Sequence, residues 1–121
     1  MAIMDSETLD RSDWKMVLEG VTARHDGDLV TIEVLDPLLG PQHEAERLPF
    51  SYLDYDPRDD AVIAAVGGRP PRYPVVLRHM IVRPQEIDIA TMDVPEAAVR
   101  IVAEDGTPTL ITFYPARPRG V

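Results

Sequence analysis

Four aspartates within residues 54–60 form the densest group of chemically active side chains in this sequence: Asp54, Asp56, Asp59 and Asp60. Clustered carboxylates are the ligands that hard cations such as Ca²⁺ and Mg²⁺ prefer. An EF-hand loop, however, needs acidic residues at alternating positions, then a glycine and a final glutamate. Pro57 and Asp59 break that pattern. The run therefore predicts a solvated acidic loop and no metal site.

Three histidines are the next candidates: His25, His43 and His79. They lack the short spacings of zinc ligands, and the chain has no cysteine to complete a zinc site. His25 is expected at the C-terminal end of a helix, where a protonated imidazole favours the negative end of the helix dipole. That role is structural.

His79 has the most functional interest of the three. It alternates with Val75, Leu77 and Ile81 in a strand that we expect at the centre of a sheet. It is therefore either a core histidine with a satisfied hydrogen bond or a group that faces a ligand pocket.

Neither nucleophilic catalysis nor phosphate binding has a recognisable motif here. The sequence contains no G-x-S-x-G elbow, and Ser6, Ser12 and Ser51 are expected in a tail, a helix start and a loop. Gly67 and Gly68 follow a strand but lead into prolines instead of a helix N-terminus. The sequence thus predicts no catalytic residue and no cofactor, and it favours a protein that is not an enzyme.

A stiff basic loop is the strongest candidate for binding a partner. Residues 69–74 are Arg-Pro-Pro-Arg-Tyr-Pro, and paired prolines favour an extended polyproline conformation. Such a loop would present Arg69, Arg72 and Tyr73 on a rigid surface, which loses little entropy on binding. A partner-binding role for these three residues and a plain rigid connector are both open.

Self-association is a second way in which this chain could bind a protein. Residues 42–48 carry polar side chains on both faces, which is typical of a solvated strand at a sheet edge. Such an edge could pair with its copy in a symmetric homodimer. Charge pairing between the arginine loop and residues 54–60 of a neighbour is a further route.

The overall composition limits compartment and partners. The chain has 121 residues, a formal net charge of -9 and no cysteine. Its negative field repels phosphate backbones, so nucleic acid is not expected as a partner. The lack of cysteine suits a reducing cytoplasm. Because no signal peptide pattern and no apolar run of roughly 18 residues is present, we expect a soluble, cytoplasmic protein without membrane contact.

One amphipathic helix is the first element that must position these residues. Asp10 can cap it through its carboxylate, and Leu9 and Trp14 stand at the positions of a hydrophobic staple. Its apolar stripe follows the helical spacing: Trp14, Val17, Leu18 and Val21. The helix is expected to end near residue 24 or 25, with Gly27 as a left-handed stop.

Short strands joined by turns fill the rest of the chain. The clearest is residues 29–35, where Val30, Ile32 and Val34 alternate with more polar positions. Further strands are expected at residues 42–48, 61–66, 75–82, 86–92, 98–103 and 109–114. Residues 49–60 are expected to be irregular, with a short helical turn at 50–55. The strand at 75–82 is apolar on both faces, which favours the middle of the sheet.

The final hairpin has two possible registers. A two-residue turn ending at Gly106 places Ile101 opposite Leu110, whereas a three-residue loop with Gly106 as a left-handed bulge places Ile101 opposite Thr109. We expect the bulged register, because it keeps Pro108 out of the tightest part of the ladder. It also gathers an apolar group: Val99, Ile101, Ile111 and Phe113.

These elements predict an α+β fold. Each strand is joined to the next by a connection too short for a crossover helix, so neighbouring strands are expected to be antiparallel. The N-terminal helix would pack on a curved meander of about six strands, either open or partly closed into a barrel. We expect one domain over residues 1–121, with flexible tails at residues 1–8 and 115–121.

Several turn and strand signatures together resemble a known family. They are Asp13-Trp14, His25-Asp26-Gly27, the strand at residues 29–34, Gly40-Pro41-Gln42, Leu48-Pro49 and residues 105–110. In this combination the chain resembles DUF5335, a small bacterial family of unknown function, over most of its length. The resemblance implies a compact bacterial domain. It carries over no catalytic or binding residue, because no activity is established for the family.

Two functions from different classes are therefore open. The first is a non-enzymatic protein-interaction or self-associating module that uses Arg69, Arg72 and Tyr73. The second is a small-ligand binding protein or enzyme with an apolar pocket near His79.

Overall fold

Eight strands and one α-helix make up the part of the chain that this computed structural model describes, residues 5–68, 75–91 and 97–115. The helix α1 is Trp14–Arg24, and the short 3-10 turn Arg11–Asp13 precedes it. The strands are β1 (Asp5–Thr8), β2 (Leu29–Asp36), β3 (Gly40–Asp56), β4 (Ala61–Val66), β5 (Leu77–Val82), β6 (Pro84–Thr91), β7 (Ala97–Ala103) and β8 (Pro108–Tyr114).

The strands form one antiparallel sheet in the order β1-β6-β7-β8-β2-β3-β4-β5. The sheet curls into a half-barrel, and α1 packs against β3. The predicted α+β class, with a helix on a curved antiparallel sheet, is confirmed. The predicted count of about six strands is too low, because seven strands follow the helix and β1 precedes it.

Residues 5–8 form strand β1 instead of part of a flexible tail. β1 pairs with β6, with Asp5 opposite Thr91 and Thr8 opposite Asp88. The Thr8 hydroxyl also donates to the Asp88 carboxylate at 2.5 Å. The sequence Asp-Ser-Glu-Thr has no apolar pattern, so this backbone-paired edge strand leaves no signal in the sequence. Residues 1–4 and 116–121 lie outside the described ranges.

The helix buries three of the four residues of the apolar stripe that its spacing predicts, while the fourth, Val17, is half-buried. Its buried residues are Trp14, Leu18 and Val21. The predicted carboxylate cap is wrong: the side chain of Asp10 makes no cap bond, and its backbone carbonyl instead accepts the Asp13 N–H at 2.9 Å. Gly27 has a φ of 88°, so it is the predicted left-handed residue after the helix.

Strand β3 is longer than predicted and bends. It continues to Asp56, so the helical turn predicted at residues 50–55 is wrong. The first half of β3 pairs with β2 and the second half with β4. Arg47, with a φ of 50°, lies near the corner where the chain passes between the two halves of the sheet. Phe50, Leu53 and Tyr55 are buried, and this burial keeps the second half extended.

Strand β5 lies at an edge of the sheet, which corrects the central position predicted for residues 75–82. Of the described strands, β4 alone pairs with it. After Val82 the chain turns at Arg83, which has a φ of 49°, and continues as β6 in the other half of the sheet. Both faces of β5 are apolar in sequence, but the face with Leu77 and Ile81 alone packs on the core.

The final hairpin has the bulged register, as predicted. Val99 lies opposite Ile111, and Ile101 lies opposite Thr109. Gly106 has a φ of 88°, and its N–H donates to the carbonyl of Ala103 at 2.9 Å. This register places the expected apolar group in the core: Val99, Ile101, Ile111 and Phe113.

Candidate functional site

The predicted partner-binding residues Arg69, Arg72 and Tyr73 lie outside the described residues, because segment 69–74 falls between the described ranges. In the sequence this segment ends two positions before Val76, close to the start of β5. A partner-binding role for the three residues stays a prediction.

The aspartates of the acidic run make separate contacts. Asp54 forms an ion pair with Lys15 at 3.1 Å. Asp60 accepts the hydroxyl of Tyr55 at 2.6 Å and the guanidinium of Arg11 at 3.2 Å. Within residues 5–68, 75–91 and 97–115, no group of three or more His, Asp or Glu side chains is arranged to hold a metal ion.

Arg11, Tyr55 and Asp60 form a polar cluster beside the start of α1. Arg11 also donates to the backbone carbonyl of Pro84 at 3.0 Å, and its guanidinium lies 4.3 Å from the centre of a Trp14 ring. The hydrogen bond from Tyr55 lowers the pKa of Asp60, and the same bond raises the pKa of Tyr55. The cluster ties the helix start to β3 and to the start of β6, which is a structural role.

His25 and His43 each have a carboxylate partner. The Nδ1 atom of His25 lies 2.9 Å from Oδ2 of Asp28, and its ring stacks on Phe113 with the ring centres 4.0 Å apart. The Nε2 atom of His43 lies 3.1 Å from Oε2 of Glu33, its cross-strand neighbour in β2. Both pairs link neighbouring parts of the fold, so we assign them structural roles.

His79 lies on the inner face of β5, opposite Ala64 of β4. Its side chain is half-buried. Burial lowers the pKa of His79, while the negative charge of Glu44 opposes that shift. A ligand pocket at His79 stays a prediction.

Two clefts among the described residues have charged linings. The larger, of about 250 Å³, lies between α1 and β3 and is lined by Lys15, Glu19, Thr22, Tyr52, Leu53 and Asp54. The other, of about 200 Å³, lies at the turn from β5 to β6. Lys15 pairs with Asp54 and Glu19 in the larger cleft, and Arg83 pairs with Glu104 in the other. Each cleft is lined by one basic and two acidic side chains, and the basic one is already paired with a carboxylate, so neither cleft offers a cation for an anionic ligand.

The outer face of β5, extended by Val76, is an exposed apolar strip. Val76, Met80 and Val82 are 72%, 49% and 48% exposed. Arg78 stands among them, also exposed, and its Nε atom donates to the Tyr52 hydroxyl at 3.1 Å. We call Val76, Arg78, Met80 and Val82 the β5 strip. The sequence shows the apolar residues of this surface, but it does not show that the strand lies at an edge, so the surface could not be predicted.

The turn between β2 and β3 carries a second exposed apolar group. Leu38 and Leu39 are 92% and 73% exposed, and we call them the hairpin tip. The carboxylate of Asp36 accepts the backbone N–H groups of Leu38 and Leu39 at 2.8 and 2.9 Å. Gly40 takes a φ of 79° at the end of the turn. The sequence predicts a break here but does not reveal that both leucines point to solvent.

The first half of β3 is a local sheet edge, as its polar pattern predicts. Residues 40–48 pair with β2 and with no other described strand. Exposed polar and charged side chains line this edge: Gln42, His43, Glu44, Glu46 and Arg47. Charged edges resist pairing with a further strand, so this edge is less suited to a partner than the β5 strip.

Comparison with known proteins finds a family and a distant relative. The sequence matches the family described as "Family of unknown function (DUF5335)" over residues 5–119. It is 25% identical over 115 residues to an uncharacterized protein of Aquifex aeolicus (strain VF5). The aligned region covers 95% of this chain and 97% of that protein. No solved structure matches the chain. No helix in the described ranges is long and apolar enough to cross a membrane.

Proposed function

Because the chain belongs to DUF5335, a family of unknown function, we propose a function from its surfaces: a non-enzymatic, self-associating protein-interaction module that binds through the β5 strip. One observation carries this proposal. Three apolar side chains, those of Val76, Met80 and Val82, are exposed in a row at an edge of the sheet.

An edge of this kind is unusual in a protein that has no partner. An edge strand presents unpaired backbone N–H and C=O groups, and proteins commonly protect such edges with charged residues, proline or a covering element. Arg78 is the one charged member of the β5 strip. A partner seated on the strip would bury its apolar side chains, and an extended partner could also pair with the backbone of β5.

The charge around the strip indicates the chemistry of the partner. Residues 75–83 contain no acidic residue, and although Arg83 is paired with Glu104, Arg78 gives the strip a basic charge in a chain whose formal net charge is -9. Apolar side chains flanked by carboxylates would complement this surface. The acidic surface of a second copy of the chain supplies carboxylates of this kind.

We include Arg69, Arg72 and Tyr73 in the proposed interface because of their position in the sequence. They precede β5 in the sequence and would add two arginines and a tyrosine to its surface, residue types that are enriched at protein interfaces. Replacing all three with alanine is expected to weaken self-association. An unchanged average mass in solution would show that these three residues are not part of the interface.

Substitution of Met80 with glutamate tests the β5 strip itself. Sedimentation velocity at increasing concentration is expected to show a rising average mass for the wild-type protein and a lower mass for Met80→Glu at the same concentration. Met16→Glu is the matched control, since Met16 is an exposed methionine on the helix. A wild-type protein that is monomeric at every concentration, or a Met80→Glu variant that associates like the control, would contradict the proposal.

A ligand site at His79 is a second proposal, and one observation favours it. The imidazole is half-buried on the inner face of β5, and burial lowers its pKa, which is common for groups that border a binding cavity. A fragment screen that follows the His79 ring resonances by NMR is the test. Fragments that shift these resonances, with affinity lost in His79→Phe, would support the site; a screen in which no fragment shifts them would reject it.

A further inference from the structure

We infer that the hairpin tip of one copy, Leu38 and Leu39, occupies the β5 strip of a second copy. This inference rests on the proposed function and names the part of the partner that the strip binds.

The turn that carries the tip is held in one conformation. Besides the two bonds to the Asp36 carboxylate, the side-chain amide of Gln42 donates to the backbone carbonyls of Leu39 and Pro41, each at 3.2 Å. Proline on both sides of the tip further restricts the backbone. A turn that is already ordered loses little entropy when a partner covers its leucines.

The charges around the two surfaces are opposite. Residues 36–46 contain three acidic residues and neither lysine nor arginine: Asp36, Glu44 and Glu46. Residues 75–83 contain neither aspartate nor glutamate and two arginines, of which Arg83 is paired with Glu104 and Arg78 supplies the basic charge of the strip. Contact between a tip and a strip therefore brings opposite charges together, whereas contact between two strips or between two tips brings like charges together.

The size of the contact sets its strength. Two leucines packed on three apolar side chains bury much less than the roughly 1,200 Å² at the lower end of stable interfaces. Each copy has one tip and one strip, so a two-fold pair makes the contact twice and leaves neither surface uncovered. We therefore expect a weak, concentration-dependent dimer.

The lack of cysteine makes the contact directly testable. Leu38→Cys and Met80→Cys are introduced in separate full-length chains, which are then mixed and oxidised. The mixed disulfide is expected to exceed the two like-with-like disulfides several-fold. Met16→Cys mixed with Met80→Cys is the control, because Met16 is exposed but belongs to neither surface; this pair is expected to form disulfides in random proportions.

The outcomes separate this inference from the proposed function. An excess of the Met80→Cys homodisulfide, with a mass that rises with concentration, would overturn the tip as the occupant and leave the β5 strip as the interface. Random disulfides and a monomeric wild-type protein would overturn both. A double variant, Leu38→Glu with Leu39→Glu, gives a second readout. Its average mass in solution is expected to fall as that of Met80→Glu does, while its circular dichroism spectrum stays that of the wild type. If this variant associates like the wild-type protein, the inference is overturned.

Discussion

Thr22 of the helix holds both backbone polar groups of Leu53 in strand β3. Its hydroxyl accepts the Leu53 N–H at 2.9 Å and shares its hydrogen between the carbonyls of Leu53 and Leu18, each at 2.9 Å. β2 pairs with β3 as far as Pro49, so no described strand neighbours Leu53 on this side. The helix thus satisfies backbone groups that a neighbouring strand would otherwise bind.

Replacing Thr22 with valine is expected to destabilise the fold by about 1 to 3 kcal/mol, because it leaves the Leu53 N–H unpaired while the size of the side chain hardly changes. Urea unfolding measures the change in the free energy of unfolding. Thr22→Ser keeps the hydroxyl and is expected to cost clearly less. Equal losses in the two variants would show that the hydroxyl contributes no more to stability than the methyl group.

Trp14 is the largest side chain in the core, and its ring meets that of Tyr55 edge-on at a centre-to-centre distance of 5.2 Å. Trp14→Ala is expected to cost about 3 to 5 kcal/mol, as core aromatic truncations do. Chemical denaturation measures this change in the free energy of unfolding. Trp14→Phe is expected to lose less stability than Trp14→Ala, because it keeps an aromatic ring in the core. A cost below about 1 kcal/mol would contradict the position of Trp14 in the core.

The hydrogen bond between Tyr55 and Asp60 predicts a pH effect. This bond, followed by the hydrogen bond and the charge of Arg11, lowers the pKa of Asp60 in the folded chain against the opposing effect of partial burial. A lowered carboxyl pKa contributes stability above the unfolded value of about 3.9, and this contribution is lost as pH falls through the folded value.

Tyr55→Phe removes that bond. The difference in stability between wild type and variant is therefore expected to be largest near neutral pH and to shrink on acidification, as measured by urea unfolding along a pH series. In an Asp60→Asn background the same substitution is expected to lose most of its pH dependence. A difference that does not change with pH in the Asp60 protein would contradict this origin.

Gly67 is expected to tolerate no side chain without movement of β5. Its φ is 110°, and a Cβ atom there would lie 2.4 Å from Cβ of Val76 and 2.7 Å from its backbone nitrogen. Gly27→Ala is the matched control: its φ is 88°, but no atom lies within 4 Å of the added Cβ. We expect about 1 to 2 kcal/mol for the control and about 1 to 3 kcal/mol more for Gly67→Ala, measured by thermal or urea unfolding. Similar costs at both sites would show that the contact with Val76 relaxes freely.

The features that sequence predicts correctly are those that local chemistry decides. The alternation of Val30, Ile32 and Val34 predicts β2 because a strand repeats every two residues. Gly27 and Gly106 predict a helix stop and a bulged hairpin because both positions need a positive φ. No distant part of the chain is needed for these conclusions.

The features that sequence misses depend on distant neighbours. β1 has no apolar pattern, and its pairing with β6 depends on a strand about 80 residues away. The second half of β3 is extended because Leu53 and Tyr55 meet the core and the helix, which local propensity does not show. The edge position of β5 follows from the turn at Arg83 into the other half of the sheet. For the same reason, the β5 strip could not be recognised as a surface from the sequence.

The pairing of β1 with β6 also constrains how the protein can be assembled on the ribosome. Thr8 and Asp88 are 80 positions apart. At roughly 5 to 20 residues per second, several seconds of translation separate the two strands. β2, β3, β4 and β5 are neighbours in both sequence and sheet, so each can pair as soon as it is made. The nascent chain can therefore build this part of the sheet in order of synthesis while its earlier strand, β1, waits for a partner.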